Sequence, residues 1–121
     1  EVICPGKLAR LAHLAGRCKL SIAVDSQEGL ERLCRAMETH ASSESSIRVL
    51  VDVNVGHNRC GTTAEEAPRL AQRIISHPRL RWGGIHCYHG SIQHLRSAAD
   101  RAARANEVAD AAKAVRDALI R

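Results

Sequence analysis

The sequence predicts an α/β fold built from parallel β/α units. Three short apolar segments alternate with amphipathic segments, and the segment over residues 47–55 has a period of two. Strands that alternate with helices form parallel sheets joined by right-handed crossovers. A complete eight-stranded barrel needs roughly 250 residues. The 121 residues therefore fit either a small three-layer domain or a piece of a barrel.

The first part of the chain is predicted to run helix, strand, helix. Residues 5–17 carry an apolar stripe with helical spacing that starts at Pro5. Residues 20–24 form a short apolar strand, and Asp25 is expected to cap the next helix with Glu28 as its capping-box partner. The buried face of that helix is predicted to consist of Leu30, Leu33, Cys34 and Met37.

The clearest strand covers residues 47–55. Its β-branched residues occupy every second position, so they are expected to pack on helices while Asp52 and Asn54 face the other side. A loop with two glycines follows this strand. Thr62 or Thr63 is then expected to open a helix, with a glutamate in its first turn.

The last part of the chain is predicted to be a strand over residues 80–89 and an alanine-rich helix over residues 94–120. The apolar stripe of this helix consists of Leu95, Ala98, Ala102, Ala105, Val108, Ala109, Ala112, Val115 and Leu119.

Composition and charge exclude several functional classes. Lys and Arg outnumber Asp and Glu by 18 to 13, which is only a mild excess of positive charge. Aromatic residues make up 2% of the chain and leave little to stack on bases. No nucleic-acid partner is therefore expected. No apolar run approaches the roughly 18 residues that a membrane span needs, so no membrane is expected either. Five scattered cysteines and no export signal indicate reduced thiols and a cytoplasmic location.

Active sites of parallel β/α proteins lie at the carboxyl ends of the strands, and the first unusual end is residues 52–61. A buried Asp52 needs a partner, because an unpaired buried charge is costly, and Arg59 is the expected one. The glycines of this loop have the spacing of a phosphate-binding P-loop. Thr62, however, stands where that motif needs Lys, which disfavours nucleotide hydrolysis.

The second unusual end runs from His86 to His94 and contains the only Tyr of the chain. In a strand, His86 and Tyr88 share one face, whereas Cys87 and His89 share the other. Because adjacent side chains point to opposite faces, this cluster is a poor zinc site. The face with His86 and Tyr88 is expected either to meet a ligand or to consist of internally hydrogen-bonded core groups.

Two blocks of the sequence resemble the D-threonine aldolase and D-serine dehydratase group. They are residues 49–61, Val-Leu-Val-Asp-Val-Asn-Val-Gly-His-Asn-Arg-Cys-Gly, and residues 84–94, Gly-Ile-His-Cys-Tyr-His-Gly-Ser-Ile-Gln-His. The Tyr-His-Gly-Ser-x-Gln-His string is typical of the aldolase branch, and Gly-x-Asn-Arg-x-Gly is shared with racemases. These are fold-type III pyridoxal-phosphate enzymes. The resemblance covers essentially the whole chain and implies one segment, residues 1–121, of a partial TIM-type, alanine-racemase-like barrel.

The resemblance also implies roles for individual residues. Arg59 matches the arginine that contacts the ring oxygen of pyridoxal phosphate, and Tyr88 matches the residue that lies against the pyridine ring, so both are expected to be catalytic. Asp52 stands where the family usually has an acidic residue behind that arginine. The remaining expected cofactor-binding residues are His89, Ser91 and Gln93. The sequence departs from the family at three positions. Asn54 stands where Asp is more usual, His57 where Gln or Met is more usual, and His86 where Gln is more usual.

The implied reaction of the complete enzyme is cleavage of D-β-hydroxy amino acids to glycine and an aldehyde. The alternatives are a D-serine dehydratase or amino-acid racemase of the same fold, or a non-catalytic cofactor-binding or truncated module. In this family the cofactor-bearing lysine lies upstream on a strand, which Lys7, Lys19 and Lys113 do not match. The ligands of a divalent metal, Mn or Zn, and a β-domain lie downstream. The segment alone is therefore expected to be inactive, and the complete enzyme to be a homodimer.

Overall fold

The computed structural model describes residues 1–120, and its elements alternate between helix and strand. They are α1 (Pro5–Ala15), β1 (Ser21–Val24), α2 (Gln27–His40), β2 (Ile47–Asp52), α3 (Ala67–Ile75), β3 (Leu80–His86), a short 3₁₀ helix (Gly90–His94) and α4 (Ala98–Ile120). This order confirms the predicted α/β class.

The three strands form one parallel sheet in the order β1-β2-β3. In the register, Val24 lies beside Val51 in the centre of the sheet, and Asp52 lies beside His86 at its carboxyl edge. The central strand is the most buried, because Val49 and Val51 have no exposed surface. The carboxyl ends of β2 and β3 therefore meet at one edge, where the polar residues singled out above are found.

The core confirms the predicted buried face of α2. The apolar side chains of α1, α2 and α3 pack with those of β2, and their burial supplies the main favourable term for folding. The largest fully buried side chains are Leu8, Leu30, Leu33, Met37, Ile47, Ile74, Val49, Val51 and Val115.

The two predicted helix caps are wrong. Ser26, not Asp25, caps α2, because its Oγ accepts the backbone N–H of Gly29 at 3.2 Å. Likewise α3 begins at Ala67, after a turn in which Thr63 Oγ1 accepts an N–H, and not at Thr62 or Thr63. Both threonines precede the helix because Thr62 forms an isolated parallel bridge with Val53.

Both long strands end earlier than predicted, and the last helix starts later. The strand predicted over residues 47–55 ends at Asp52, and the one over residues 80–89 ends at His86, because each chain then turns into a loop or a 3₁₀ helix. Of the predicted stripe of α4, Val115 is buried and most alanines are exposed. The apolar residues of α4 are spread around all sides of the helix instead of forming one face, and Val115 is its buried side chain.

No helix in residues 1–120 combines the length and the apolar character that crossing a membrane requires.

Candidate active site

The segment after β2, residues 53–62, is called the β2 loop, and one asparagine organises it. Asn54 Oδ1 accepts the backbone N–H groups of Gly56 at 3.0 Å and Asn58 at 3.2 Å. Gly56, Asn58 and Gly61 adopt positive φ angles, of 105°, 57° and 107°. The loop closes on itself because the N–H of Asn54 donates to the carbonyl of Thr62. The conformation of the loop is therefore set by the Asn54 side chain together with backbone hydrogen bonds and positive φ angles.

The segment after β3, residues 87–94, is called the β3 segment, and Tyr88 is its most prominent side chain. The rings of His86 and Tyr88 are nearly parallel, with 15° between their planes and 6.5 Å between centroids. Tyr88 lies directly over Gly90, since a Cβ added at Gly90 would be 2.8 Å from Cζ of the ring. Tyr88 nevertheless remains 46% exposed, so part of the residue is open to a ligand.

The β2 loop and the β3 segment meet at Tyr88. The Arg59 guanidinium lies 5.6 Å from the centroid of the Tyr88 ring, within the range of a cation–π contact. His57 approaches the same ring edge-on, at 5.5 Å and 73°. A hydrogen bond to the Cys60 side chain raises the pKa of the Arg59 guanidinium above its ordinary value, so Arg59 stays charged. We call His57, Arg59, His86 and Tyr88 the ring cluster.

The expected ion pair between Asp52 and Arg59 is wrong. Asp52 is buried, with 6% of its surface exposed, but its partner is His86, whose Nδ1 lies 2.6 Å from Asp52 Oδ1. The two residues lie side by side in the parallel register, where neighbouring side chains point to the same face. Arg59 follows Asn58, whose left-handed backbone turns the chain, and it contacts Tyr88 instead.

Three further residues at this edge, Cys60, Asp25 and Glu1, were not predicted as site residues. Cys60 Sγ donates to Asp52 Oδ2 at 3.6 Å, and Asp25 Oδ2 accepts the N–H of Gly61 at 3.2 Å. Partial burial and a hydrogen bond with Asp52 raise the pKa of the Glu1 carboxyl. Asp25 follows β1 directly, so the rule that parallel strands end together was the signal that could have found it.

Glu1, Asp25 and Cys60 place potential metal-ligand atoms within 4.8 Å of one another. Acidic side chains often gather in this way without an ion, and we assign no metal to this group.

The other predicted site residues lie in or just before the 3₁₀ helix. His89 Nδ1 and Ser91 Oγ share a hydrogen bond of 3.1 Å, and the His89 ring is 5.9 Å from that of His57. Both residues line an open cleft of about 320 Å³ together with Gly56 of the β2 loop. Gln93 is exposed, near the end of the 3₁₀ helix. The structure thus brings five of the six predicted residues to one edge.

A parallel β/α sheet with its polar residues gathered at the carboxyl edge is the architecture of β/α-barrel enzymes. The family described as alanine racemase, N-terminal domain, matches residues 4–121 of the chain. The chain therefore belongs to this family, which confirms the predicted partial alanine-racemase-like barrel.

Similar proteins include two curated aldolases. The chain is 39% identical over 103 residues to a D-threonine aldolase of an Arthrobacter species, an alignment that covers 84% of the chain and 26% of that protein. It is 31% identical over 121 residues to the 3-hydroxy-D-aspartate aldolase of Paracoccus denitrificans (strain Pd 1222), covering 98% of the chain and 30% of the relative. These similarities confirm the predicted resemblance to the D-threonine aldolase group.

A solved structure agrees with this relationship. The crystal structure of D-threonine aldolase from Filomicrobium marinum matches the chain with a TM-score of 0.92 and 35% sequence identity, covering 98% of the chain and 32% of the other protein. The chain thus spans about a third, or less, of the length of each of these proteins.

Proposed function

We propose that the chain is a segment of a pyridoxal-phosphate-dependent aldolase that cleaves D-β-hydroxy amino acids to glycine and an aldehyde. The observation that carries the proposal is the contact between Arg59 and the half-exposed ring of Tyr88, at the carboxyl edge of the sheet. Both curated relatives are named as aldolases, which favours this reaction over a dehydratase or a racemase. Their names suggest D-threonine or 3-hydroxy-D-aspartate as the first substrates to assay.

The ring cluster fits a planar, anionic cofactor. Tyr88 offers an aromatic surface that is still open to solvent, and Arg59 beside it offers a permanent positive charge and a planar set of donors. Arg59 would hold the ring oxygen of pyridoxal phosphate, and Tyr88 would lie against its pyridine ring. When bound, the cofactor would withdraw electrons from Cα of the substrate, which is what cleavage of the Cα–Cβ bond requires.

The residues around these two would complete the binding surface. His89 and Ser91 are hydrogen-bonded to each other beside the cleft and would contact the cofactor from the β3 segment, with Gln93 further along the 3₁₀ helix. Asp52 would act through His86, with which it shares a hydrogen bond, and not through Arg59. Tyr88 would exclude water from one side of the bound ring, while Arg59 would fix the orientation of that ring.

Covalent attachment of the cofactor needs a lysine, and we propose that another part of the complete enzyme supplies it. Lys7 lies in α1, Lys19 lies before β1 and Lys113 lies in α4, so no lysine within residues 1–120 is on a strand. We propose that residues 1–121 form one segment of the barrel. The ligands of a divalent Mn or Zn ion and a β-domain would also lie outside them. We also propose that the complete enzyme is a homodimer and is located in the cytoplasm.

The test is replacement of Arg59 in the complete enzyme. Arg59→Ala should lower turnover by about a hundredfold, the typical cost of losing one charge-stabilising donor, and should change the absorption spectrum of the bound cofactor. Arg59→Lys keeps the positive charge but not the planar set of donors, so its turnover should lie between those of the wild type and Arg59→Ala. Arg69→Ala, at an exposed arginine paired with Glu66 on the turn before α3, is the matched control.

Product analysis separates the alternatives in the same assay. Glycine plus an aldehyde supports the aldolase, pyruvate plus ammonia identifies a dehydratase, and the opposite enantiomer identifies a racemase. Unchanged kinetics and an unchanged spectrum in Arg59→Ala would refute the role given to Arg59. A wild-type enzyme that binds the cofactor but converts no amino acid would identify a non-catalytic module.

A further inference from the structure

We infer that Asp52 and His86 form a positioning pair that holds the Tyr88 ring in the orientation needed to receive the cofactor. The inference rests on the proposed function, because it treats Tyr88 as the surface against which the cofactor lies. Its basis is a chain of contacts: Asp52 is buried, His86 is hydrogen-bonded to it at 2.6 Å, and the ring of His86 is parallel to that of Tyr88.

The first step is the bond between Asp52 and His86. A buried carboxylate is stable only when its oxygens are hydrogen-bonded. Oδ1 lies 2.6 Å from His86 Nδ1, and Oδ2 has the Cys60 thiol, a weaker donor, at 3.6 Å. The Glu1 carboxyl is also hydrogen-bonded to Asp52. The imidazole therefore carries a proton at Nδ1 and donates it to Asp52. This bond fixes both the tautomer and the plane of the ring.

The second step is the contact between His86 and Tyr88. The last strand ends at His86, so no ladder of backbone hydrogen bonds holds Tyr88, and its orientation depends on the side chains around it. Within the part of the chain that the structure describes, the side chains of His57, Arg59 and His86 contact its ring. Parallel and edge-on ring pairs at these distances are favourable arrangements of aromatic rings.

The third step is that His86 is itself held more firmly than Arg59 and His57, the other two side chains that contact Tyr88. Arg59 is exposed at the surface of the β2 loop, and the Nδ1 atom of His57 is buried without a hydrogen-bond partner in residues 1–120. His86 instead has a short hydrogen bond to a buried carboxylate at the end of the central strand. His86 therefore links the exposed Tyr88 ring to the rigid part of the sheet.

The experiment uses the complete enzyme loaded with cofactor and two variants, each of which keeps one contact of His86 and removes the other. His86→Phe keeps an aromatic ring beside Tyr88 but cannot donate to Asp52. His86→Asn keeps a donor N–H near Asp52 but has no ring. If both contacts are needed, each variant lowers kcat about tenfold with KM changed less than about twofold, because misaligned groups slow the reaction more than they weaken binding.

The control is His13, an exposed histidine of α1 whose Nδ1 lies 2.8 Å from the Ala9 carbonyl oxygen. His13→Phe and His13→Asn should leave kcat and the circular dichroism of the bound cofactor unchanged, whereas the same substitutions at His86 should change both. If either His86 variant fails to fold, Asp52→Asn keeps the shape of the carboxylate but removes its charge, and it should produce the same loss of kcat.

Nitrogen-15 NMR of the histidine rings provides a readout that does not depend on activity. The neutral form of His86 should be protonated at Nδ1 in the wild-type enzyme. If the proton is at Nε2, or if His86→Phe and His86→Asn retain wild-type kcat and dichroism in an active enzyme, the inference is overturned. If the wild-type enzyme is inactive on D-β-hydroxy amino acids but His86 is protonated at Nδ1, the proposed function fails while the pair stands.

Discussion

The β2 loop and the β3 segment end at the same edge of the sheet, but different interactions hold them. The β2 loop is specified by hydrogen bonds that the backbone N–H groups of Gly56 and Asn58 donate to Asn54 Oδ1, and by residues with positive φ such as Gly61. The β3 segment is held by ring contacts around Tyr88 and by a short 3₁₀ helix. Backbone geometry tolerates little change, whereas ring contacts between exposed side chains can form again in a new position. Substitutions that disturb the backbone of the β2 loop should therefore reduce stability, whereas those in the β3 segment should change the orientation of the Tyr88 ring and reduce activity.

The largest effect is expected for Gly61→Ala. A Cβ at this position would lie 2.5 Å from the backbone N of Asn54 and 2.8 Å from the carbonyl carbon of Val53, and φ is +107°. Backbone atoms cannot move aside, so the strain and the clash should lower the free energy of unfolding by about 3 kcal/mol. Denaturant unfolding of the complete enzyme measures this loss.

Gly6→Ala is the control for Gly61→Ala, because nothing lies within 4 Å of the Cβ that it would add in the first turn of α1. It should leave stability unchanged or raise it slightly, since alanine favours helix. Equal unfolding free energies for Gly61→Ala and the wild type would show that the β2 loop adapts as easily as the β3 segment. The proposed difference between the two segments would then be wrong.

Gly90→Ala should have the opposite profile, with a small effect on stability and a large one on activity. The added Cβ would meet the Tyr88 ring, which is half-exposed and can swing away. Unfolding should therefore change by less than about 1 kcal/mol, as for other surface changes. The kcat of the complete enzyme should fall, because Tyr88 leaves its position beside Arg59. A variant that unfolds readily but retains kcat when folded would contradict this.

The smallest expected effect is a difference in thiol reactivity. Burial, with a contribution from the charge of Asp52, raises the pKa of the Cys87 thiol, whereas hydrogen bonds from the N–H groups of Lys7 and Gly6 lower the pKa of Cys4. A raised pKa leaves less thiolate at pH 8, so Cys87 should react with iodoacetamide about tenfold more slowly than Cys4. Peptide mass spectrometry of timed samples measures both rates.

The same experiment in Asp52→Asn tests the electrostatic part of this prediction. Loss of the negative charge should lower the pKa of the Cys87 thiol and increase its rate of alkylation, while the rate at Cys4 stays constant. Equal rates at Cys4 and Cys87 in the wild-type enzyme would show that the β3 segment opens often enough to expose Cys87.

Much of the fold follows from periodicity, with one informative failure. The period of two over residues 47–55 and the amphipathic pattern of α2 identified the central strand and the core, because large apolar side chains there occupy one face. The stripe predicted for α4 is mostly exposed. Its alanines are small and lie all around the helix, so periodicity could not show that Val115 would be the buried contact.

The location of the site was predictable, but its pairings were not. The rule that parallel strands end at one edge predicted that the segments containing Arg59 and Tyr88 would lie together, and these two side chains are in contact. The partner of Asp52 depends on the register between β2 and β3, which no local pattern encodes. The direction of Arg59 depends on the left-handed Asn58 before it, a conformation that asparagine permits but does not dictate.

The strand order β1-β2-β3 has a consequence for how the molecule is made. Each strand pairs with the one synthesised just before it, and paired residues such as Ser21 with Arg48 and Arg48 with Arg81 are about thirty residues apart. A nascent chain leaving the ribosome can therefore add one strand at a time without waiting for a distant segment. The edge that carries the ring cluster cannot form before β3 is synthesised, because His86 ends β3 and Tyr88 follows it.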